Sequence, residues 1–312
     1  MVHRKKKVVK KEKAPKPEGI ILVISDGKAF MGTGLAFEIM LQDEKSKRAL
    51  YGKRIGQLLD GSEIGLPGYT FSISGATDKF GFPHNPSIIS TELRKVSLTE
   101  PPGIRFYRYK VEKRGGGYKL IDNRKVYRKK TVRGAIISEY TRQINLTIVS
   151  RSGQSIKEMS AESIMSDRIL SKLVEKIGMQ VLKNGLQRVR YIEDGQVVSL
   201  QEKLKELGFD EDILKKLSIE LGIKIIKRGR RFIETVIKPV LKVRGNTPFA
   251  KYIGKILHEL YQDLKEGKVS IENADAIIAN LRDKILEGAE KAFNNELKVE
   301  FKFKIKSAAA SA

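Results

Sequence analysis

Tyr69-Thr70-Phe71-Ser72-Ile73-Ser74-Gly75-Ala76-Thr77-Asp78-Lys79-Phe80-Gly81-Phe82-Pro83 is the stretch on which the reading of this chain turns. Its first six residues alternate apolar and polar with period two, so one side of an extended chain faces a core and the other faces solvent. Between Gly75 and Pro83 the glycines, the proline and the pair Asp78-Lys79 mark a strand leaving through a turn, with Lys79 presented outward. Gly65-Leu66-Pro67-Gly68, just upstream, reads as a second turn of the same kind.

The same grammar extends to either side. Ile20 to Ser25 is apolar and β-branched, Ile88-Ile89 and Val96 to Leu98 are shorter strand candidates, and Ile136 to Val149 carries the alternation Ile144, Leu146, Ile148. Several short strands punctuated by Gly and Pro argue for a small barrel or a compact sandwich; closure favours the barrel because it removes sheet edges. At 150–160 Ser and Gly collect, and helical spacing begins after Ser160. Ile164, Leu170, Leu173, Val174, Ile177 and Val181 recur at threes and fours and predict one helix with a single apolar face. Shorter helices are expected at Leu200–Leu207 and Asp212–Leu221, the second capped by Asp210. Phe249, Tyr252, Ile253, Ile256, Leu257, Leu260 and Leu264 make a further helical face, and another helix should start after Ser270. Leu297, Val299, Phe301, Phe303 and Ile305 alternate with charged residues, the pattern of an amphipathic strand. The expected class is therefore α+β. A small, mostly-β, barrel-like domain at 19–149 precedes a mainly helical region at 150–306 that ends in an amphipathic strand, with tails at 1–18 and 307–312.

Charge narrows the function. The net charge is +24, and residues 1–150 hold 30 Lys/Arg against 14 Asp/Glu. A basic excess of this size repels itself unless a polyanion neutralises it, so nucleic acid is the natural partner. No apolar run approaches the ~20 residues of a membrane span, and residues 1–18 are Lys-rich without the apolar centre of a secretory signal. Cysteine is absent, which fits a reducing cytoplasm. The 1–18 segment carries eight Lys/Arg and two Pro, and alone it is too polar to offset its ordering entropy.

The densest basic region is Arg105 to Arg133, with twelve Lys/Arg against Glu112 and Asp122, interleaved with Phe106, Tyr107, Tyr109, Tyr118 and Tyr127. Lys and Arg neutralise phosphates while aromatic faces stack on unpaired bases. The alternative is that the aromatics are core residues of two strands. Arg114-Gly115-Gly116-Gly117-Tyr118 is either a loop tip that approaches a phosphate backbone closely or an ordinary hairpin loop. If Arg128-Lys129-Lys130 is extended, Lys129 opposes the other two. The candidate RNA-binding residues are Lys79, Arg105, Arg108, Lys110, Arg114, Arg124, Lys125, Arg128, Lys129, Lys130 and Arg133. Gly65, Pro67, Gly68, Gly75, Asp78, Gly81, Pro83 and Gly134 are expected to shape turns. Lys224 to Arg231, the most basic stretch of the second half, is either a second RNA contact or a solvated connector.

Signals for catalysis are weak. His3, His84 and His258 are scattered, and Asp26, Asp60 and Asp78 sit in turn-like contexts where Asp usually serves the backbone. Gly27-Lys28 and Gly32-Thr33-Gly34 follow a strand but lack the full phosphate-loop pattern. The expectation is no catalytic residue, metal, cofactor or small-molecule substrate.

Four motifs in chain order resemble those of the small-subunit ribosomal protein six of archaea and eukaryotes. They are Gly65 to Gly68, Ile73 to Pro83, Arg128-Lys129-Lys130-Thr131-Val132-Arg133-Gly134, and Gln143-Ile144-Asn145-Leu146-Thr147-Ile148-Val149. Ile20 to Asp26, Gly52 to Gly56 and Leu59 to Gly61 add to the resemblance, which spans roughly residues 20 to 149. The chain departs from the family pattern at Ala76, His84 and Ala135, where that pattern usually has Gly, Met and Asn. The resemblance implies a barrel and a structural role in the small ribosomal subunit. Its implied partners are rRNA and neighbouring ribosomal proteins, on cytoplasmic ribosomes. A free RNA-binding assembly or regulatory factor on the same barrel, and a metal-dependent nucleic-acid hydrolase, are the alternatives.

Overall fold

The alternating stretches become strands. A computed structural model describes residues 19–103, 108–112, 118–122, 127–187, 189–193, 196–241, 247–269 and 273–297; at 108–112, 118–122, 190, 192–193 and 196–197 it describes the backbone alone. Strands β1 (Ile20–Ser25), β2 (Ala36–Leu41), β3 (Leu58–Asp60), β4 (Tyr69–Asp78) and β9 (Thr141–Arg151) form a five-stranded sheet in the order β2-β1-β9-β4-β3. A short helix, α1 (Glu44–Leu50), follows β2, capped by the Asp43 carboxylate on the Ser46 N–H. Strands β5 (Leu93–Leu98) and β8 (Arg128–Arg133) pair as a separate antiparallel ribbon, and so do β6 (Arg108–Glu112) and β7 (Tyr118–Asp122). Among the described residues, single bridges at Arg54–Ile136, Thr77–Pro83 and His84–Arg133 supplement these ladders, and with the helical region that follows the class is the expected α+β. Ile88-Ile89 lies outside any strand.

In β4 the expected alternation holds for Tyr69, Phe71 and Ile73, all buried, and then changes parity: beyond Ser74 the buried residues are Ala76 and Asp78. Gly75 stands at that change, inside the strand and not in a turn. A residue without a Cβ is suited to the point where a strand swaps its faces.

Two compact units can be separated. One holds the described residues up to Leu22 with Ile39–Ile55 and Gly75–Ile144; the other holds Val23–Glu38, Gly56–Ser74 and those from Asn145 onward. The second unit contains α2 (Ala161–Ser166), α3 (Arg168–Leu186), the hairpin β10 (Arg190–Glu193) and β11 (Gln196–Ser199), α4 (Leu200–Glu206) and α5 (Glu211–Arg228). It continues through α6 (Arg230–Phe232), a π-helical turn at Ile233–Ile237, α7 (Lys238–Leu241), α8 (Pro248–Lys265) and α9 (Ala274–Phe293). Its core gathers the apolar faces of α3, α5, α8 and α9, with Leu173, Val174, Leu217, Leu221, Ile253 and Ile285 among the fully buried side chains. Met31, in the loop between β1 and β2, is buried in the same cluster, and Phe30 and Leu35 pack against it.

The single helix expected after Ser160 is broken at Asp167, which takes an extended backbone (φ −76°, ψ 114°). Its carboxylate accepts from the N–H groups of Ile169 and Leu170 at 2.9 and 3.1 Å, capping α3. The buried Tyr69 hydroxyl donates to the other oxygen at 2.7 Å, and Arg151 stands 3.8 Å away. Burial, reinforced by the Asp167 carboxylate, pushes the Tyr69 hydroxyl well above the usual tyrosine range, so it stays a donor. Asp210, expected to cap α5, makes no side-chain cap bond. From residue 298 on, the expected terminal strand lies outside the described residues, as do the tails at 1–18 and 307–312.

Candidate nucleic-acid interface

The turn after β4 is held from below. Asp78 is only 2% exposed, and its Oδ1 accepts from the N–H groups of Phe80 and Phe82 at 2.9 and 2.8 Å. Its Oδ2 accepts from Arg133 Nε at 3.1 Å, and Arg133 Nη1 donates to the Thr91 carbonyl at 2.8 Å. Gly81 adopts a left-handed φ of 89°, which only glycine takes at low cost. The turn therefore presents Lys79 and Phe80 to solvent while its base is an internal ion pair. Arg133 was grouped with the phosphate-binding cations. The residue is 4% exposed, and its guanidinium is committed to Asp78 and Thr91 and lies 4.9 Å from the Tyr140 ring centroid, so it positions the turn.

The β5–β8 ribbon carries the remaining charge. Val96 pairs with Lys130, Ser97 with Lys129 and Leu98 with Arg128. Paired residues share a face, so Arg94, Arg128 and Lys130 lie on one side of the ribbon and Lys95 and Lys129 on the other. Lys129, Lys130, Arg94 and Lys95 are exposed and Arg128 half-buried. Arg94 has an exposed partner in Glu92 at 3.5 Å, an ion pair worth little in water. Arg94 and Lys95 were missed in the sequence, because only the register sets them opposite the β8 cluster. Tyr127, just before β8, is 74% exposed and able to stack. Of the other candidates, Arg108 and Lys110 lie on β6, where the backbone alone is described. Arg105, Arg114, Arg124 and Lys125 lie outside the described residues, as do Phe106, Tyr107 and the Gly115–Gly117 tip.

Several expected turn residues have clear backbone reasons. Gly65 and Gly68 take φ of 73° and 83°, and Pro67 lies between them. Pro83 accepts from the Arg133 N–H at 3.0 Å. Gly134 has another reason: a Cβ there would stand 1.9 Å from the Ser90 carbonyl oxygen. The phosphate-loop reading of residues 27–34 meets a filled nest. The N–H groups of Met31, Gly32 and Thr33 and the Thr33 hydroxyl already bind the buried Asp26 carboxylate at 2.6–3.2 Å. Asp60 accepts from the Ser62 N–H, so all three aspartates serve their own backbone turns. In the basic stretch 224–231, Arg228 pairs with Glu290 and Arg230 with Glu234, and Arg231 lies over Phe293. That is the pattern of a surface tied to its own bundle.

Comparison with known proteins gives the family. Residues 21–161 match the model of the family described as ribosomal protein S6e. The small ribosomal subunit protein eS6 of Methanocaldococcus jannaschii is 36% identical over 137 residues, 44% of this chain and 87% of that protein. The Nanoarchaeum equitans protein of the same name is 32% identical over 148 residues, 47% of this chain and 94% of its own length. The one from Kluyveromyces marxianus is 33% identical, with 48% of its length covered. The chain belongs to the ribosomal protein S6e family. The turn and the β5–β8 ribbon lie inside the family match, while α3 and everything after it lie beyond.

The three departures from the family motif, Ala76, His84 and Ala135, are all buried, so they alter packing beneath the S6e surface and not the surface itself. His84 is 2% exposed, and its Nε2 lies 3.4 Å from Thr141 Oγ1. Burial pushes its pKa down and the Arg133 charge pushes the same way, against a hydrogen bond to the Gly134 backbone and the smaller pull of Asp78. The folded state thus holds a neutral imidazole and binds a proton less readily than the unfolded chain, where the group titrates near 6.5. Its contribution to stability is full above that value and declines as pH falls from there toward the depressed folded pKa. His84→Met should narrow the difference in urea midpoint between about pH 7.5 and about pH 5. His258, also lowered by burial, contributes to the residual slope. An unchanged difference would show that His84 is not the responsible group.

Proposed function

We propose that this chain is a structural constituent of the small ribosomal subunit, held there by rRNA that it binds through the β5–β8 ribbon and the adjoining turn. The observation that carries this reading is the ribbon's register. A two-stranded ribbon with cations on both faces neutralises phosphates on either side of it, so Arg128, Lys129 and Lys130 act together without a looped backbone. The family match and the net charge of +24 support the same partner. Neighbouring ribosomal proteins complete the surroundings in this reading. Among the described residues no helix is long and apolar enough to cross a membrane, and no cluster of His, Asp and Glu is arranged to hold a metal.

Binding of small-subunit rRNA transcripts, titrated across salt, tests the proposal. Replacing Arg128, Lys129 and Lys130 together with Ala should weaken binding and lower the log–log salt slope by roughly 2–3 units, the signature of three lost phosphate contacts. An unchanged slope sinks the ribbon as the contact.

A further inference from the structure

Phe80 is 72% exposed, although its turn is well supplied with hydrogen bonds. Its N–H is held by Asp78 Oδ1, the Asp78 N–H donates to the Phe82 carbonyl at 3.0 Å, and the Gly81 N–H donates to the Asp78 carbonyl at 3.1 Å. The Lys79 N–H donates to the Tyr140 carbonyl at 2.8 Å, which fixes the other shoulder of the turn. A large apolar ring held in water on a hydrogen-bonded turn is accessible to a partner. The same rigidity removes most of the ordering entropy that a contact through this ring would otherwise require.

We infer that Phe80 is a stacking platform for an unpaired RNA base, a contact that rests on the rRNA-binding reading above. The ring's surroundings favour RNA over a protein pocket. Lys79 is exposed beside it, with a cationic side chain to meet the phosphate of the stacked nucleotide, and Gly81 on the other side is exposed with nothing within 4 Å of where a Cβ would stand. A protein partner burying Phe80 would also have to desolvate the Lys79 ammonium, whereas a nucleotide supplies its counter-charge. Half-exposed Tyr140, backed by the Arg133 guanidinium, adds a second flat surface in the same unit.

The chain has no tryptophan, so Phe80→Trp places a single, selectively excitable tryptophan at the tip. Four full-length variants, Phe80→Ala, Phe80→Leu, Phe80→Trp and the Arg128/Lys129/Lys130→Ala triple, would be titrated with small-subunit rRNA transcripts across salt. Phe80→Ala should weaken binding by about 5- to 150-fold, the usual worth of one base stack, with its salt slope unchanged. Phe80→Leu should be as weak, since it keeps apolar bulk but no π-face. Phe80→Trp should bind at least as well as the parent, with its fluorescence quenched on RNA. Parent-like binding by Phe80→Leu would overturn the inference in favour of a generic apolar contact. Parent-like binding by Phe80→Ala would overturn it too; if the triple variant then still loses slope, rRNA binding survives without Phe80. If neither moves, the rRNA reading itself fails. Equal urea midpoints across the Phe80 variants confirm an undisturbed fold.

Discussion

Replacing Asp78 with Ala is expected to cost about 3–5 kcal/mol of folding free energy, as removing one partner of a buried ion pair does. The substitution leaves Arg133 Nε facing a void in a site where its guanidinium is almost wholly shielded from water. It also leaves the N–H groups of Phe80 and Phe82 without their acceptor. Two further variants divide the loss. Asp78→Asn retains an acceptor for the turn but removes the charge, so its deficit measures the ion pair. Asp78→Ala combined with Arg133→Met removes the stranded cation and should be milder than Asp78→Ala alone, although the turn bonds are lost in both. Urea titration of the three proteins provides the comparison. A double variant no more stable than Asp78→Ala would mean that the turn bonds, and not the ion pair, dominate.

Gly178→Ala tests the other unit, with an expected sign opposite to that of ordinary helix propensity. Gly178 lies inside α3, where Ala is intrinsically favoured by about 0.8–1.0 kcal/mol. A Cβ at this position would stand 1.9 Å from the Ser218 carbonyl oxygen on α5, and one at Gly222 would stand 2.2 Å from the Val174 carbonyl oxygen on α3. The two glycines let the helix backbones touch. Neither carbonyl belongs to a flexible side chain that can swing aside, so the helices must move apart and loosen the Val174 and Leu221 packing. Net destabilisation of about 2–3 kcal/mol is expected, at the upper end of what an overpacked core costs. Stabilisation in the same urea assay would show that the crossing yields at little cost.

Where the sequence pattern was local and long, it predicted the structure well. The stripe from Phe249 to Leu264 became α8, and the alternation at Tyr69, Phe71 and Ile73 became the buried side of β4. The failures share a cause: a distant partner decided the outcome. Nothing in an uninterrupted apolar period announces that Asp167 ends one helix and starts another; a tyrosine 98 residues earlier shares the carboxylate that caps the second. Arg133 reads as one more cation in a basic run until Asp78, 55 residues away, is found beneath it. The β10–β11 hairpin went unpredicted because its strands have four residues each, too few for period two to stand out. At the proposed interface, Lys129 and Lys130 were legible from charge, but Arg94, Lys95 and Phe80 needed register and exposure.

The loop between β1 and β2 gives this chain a calendar. Met31 is buried in one cluster with Leu173, Leu221 and Phe232, and Gly32 lies close enough to Glu234 that a Cβ would meet its carboxylate at 2.8 Å. Translation at about 5–20 residues per second delivers Met31 roughly ten to forty seconds before Phe232. All five strands of the sheet have been synthesised by Arg151, yet the loop that joins the first two waits for helices still unmade. A nascent chain stalled at that stage displays Phe30, Met31 and Leu35 uncovered. In this member of the family the β1–β2 loop therefore completes its burial only once the C-terminal helices exist.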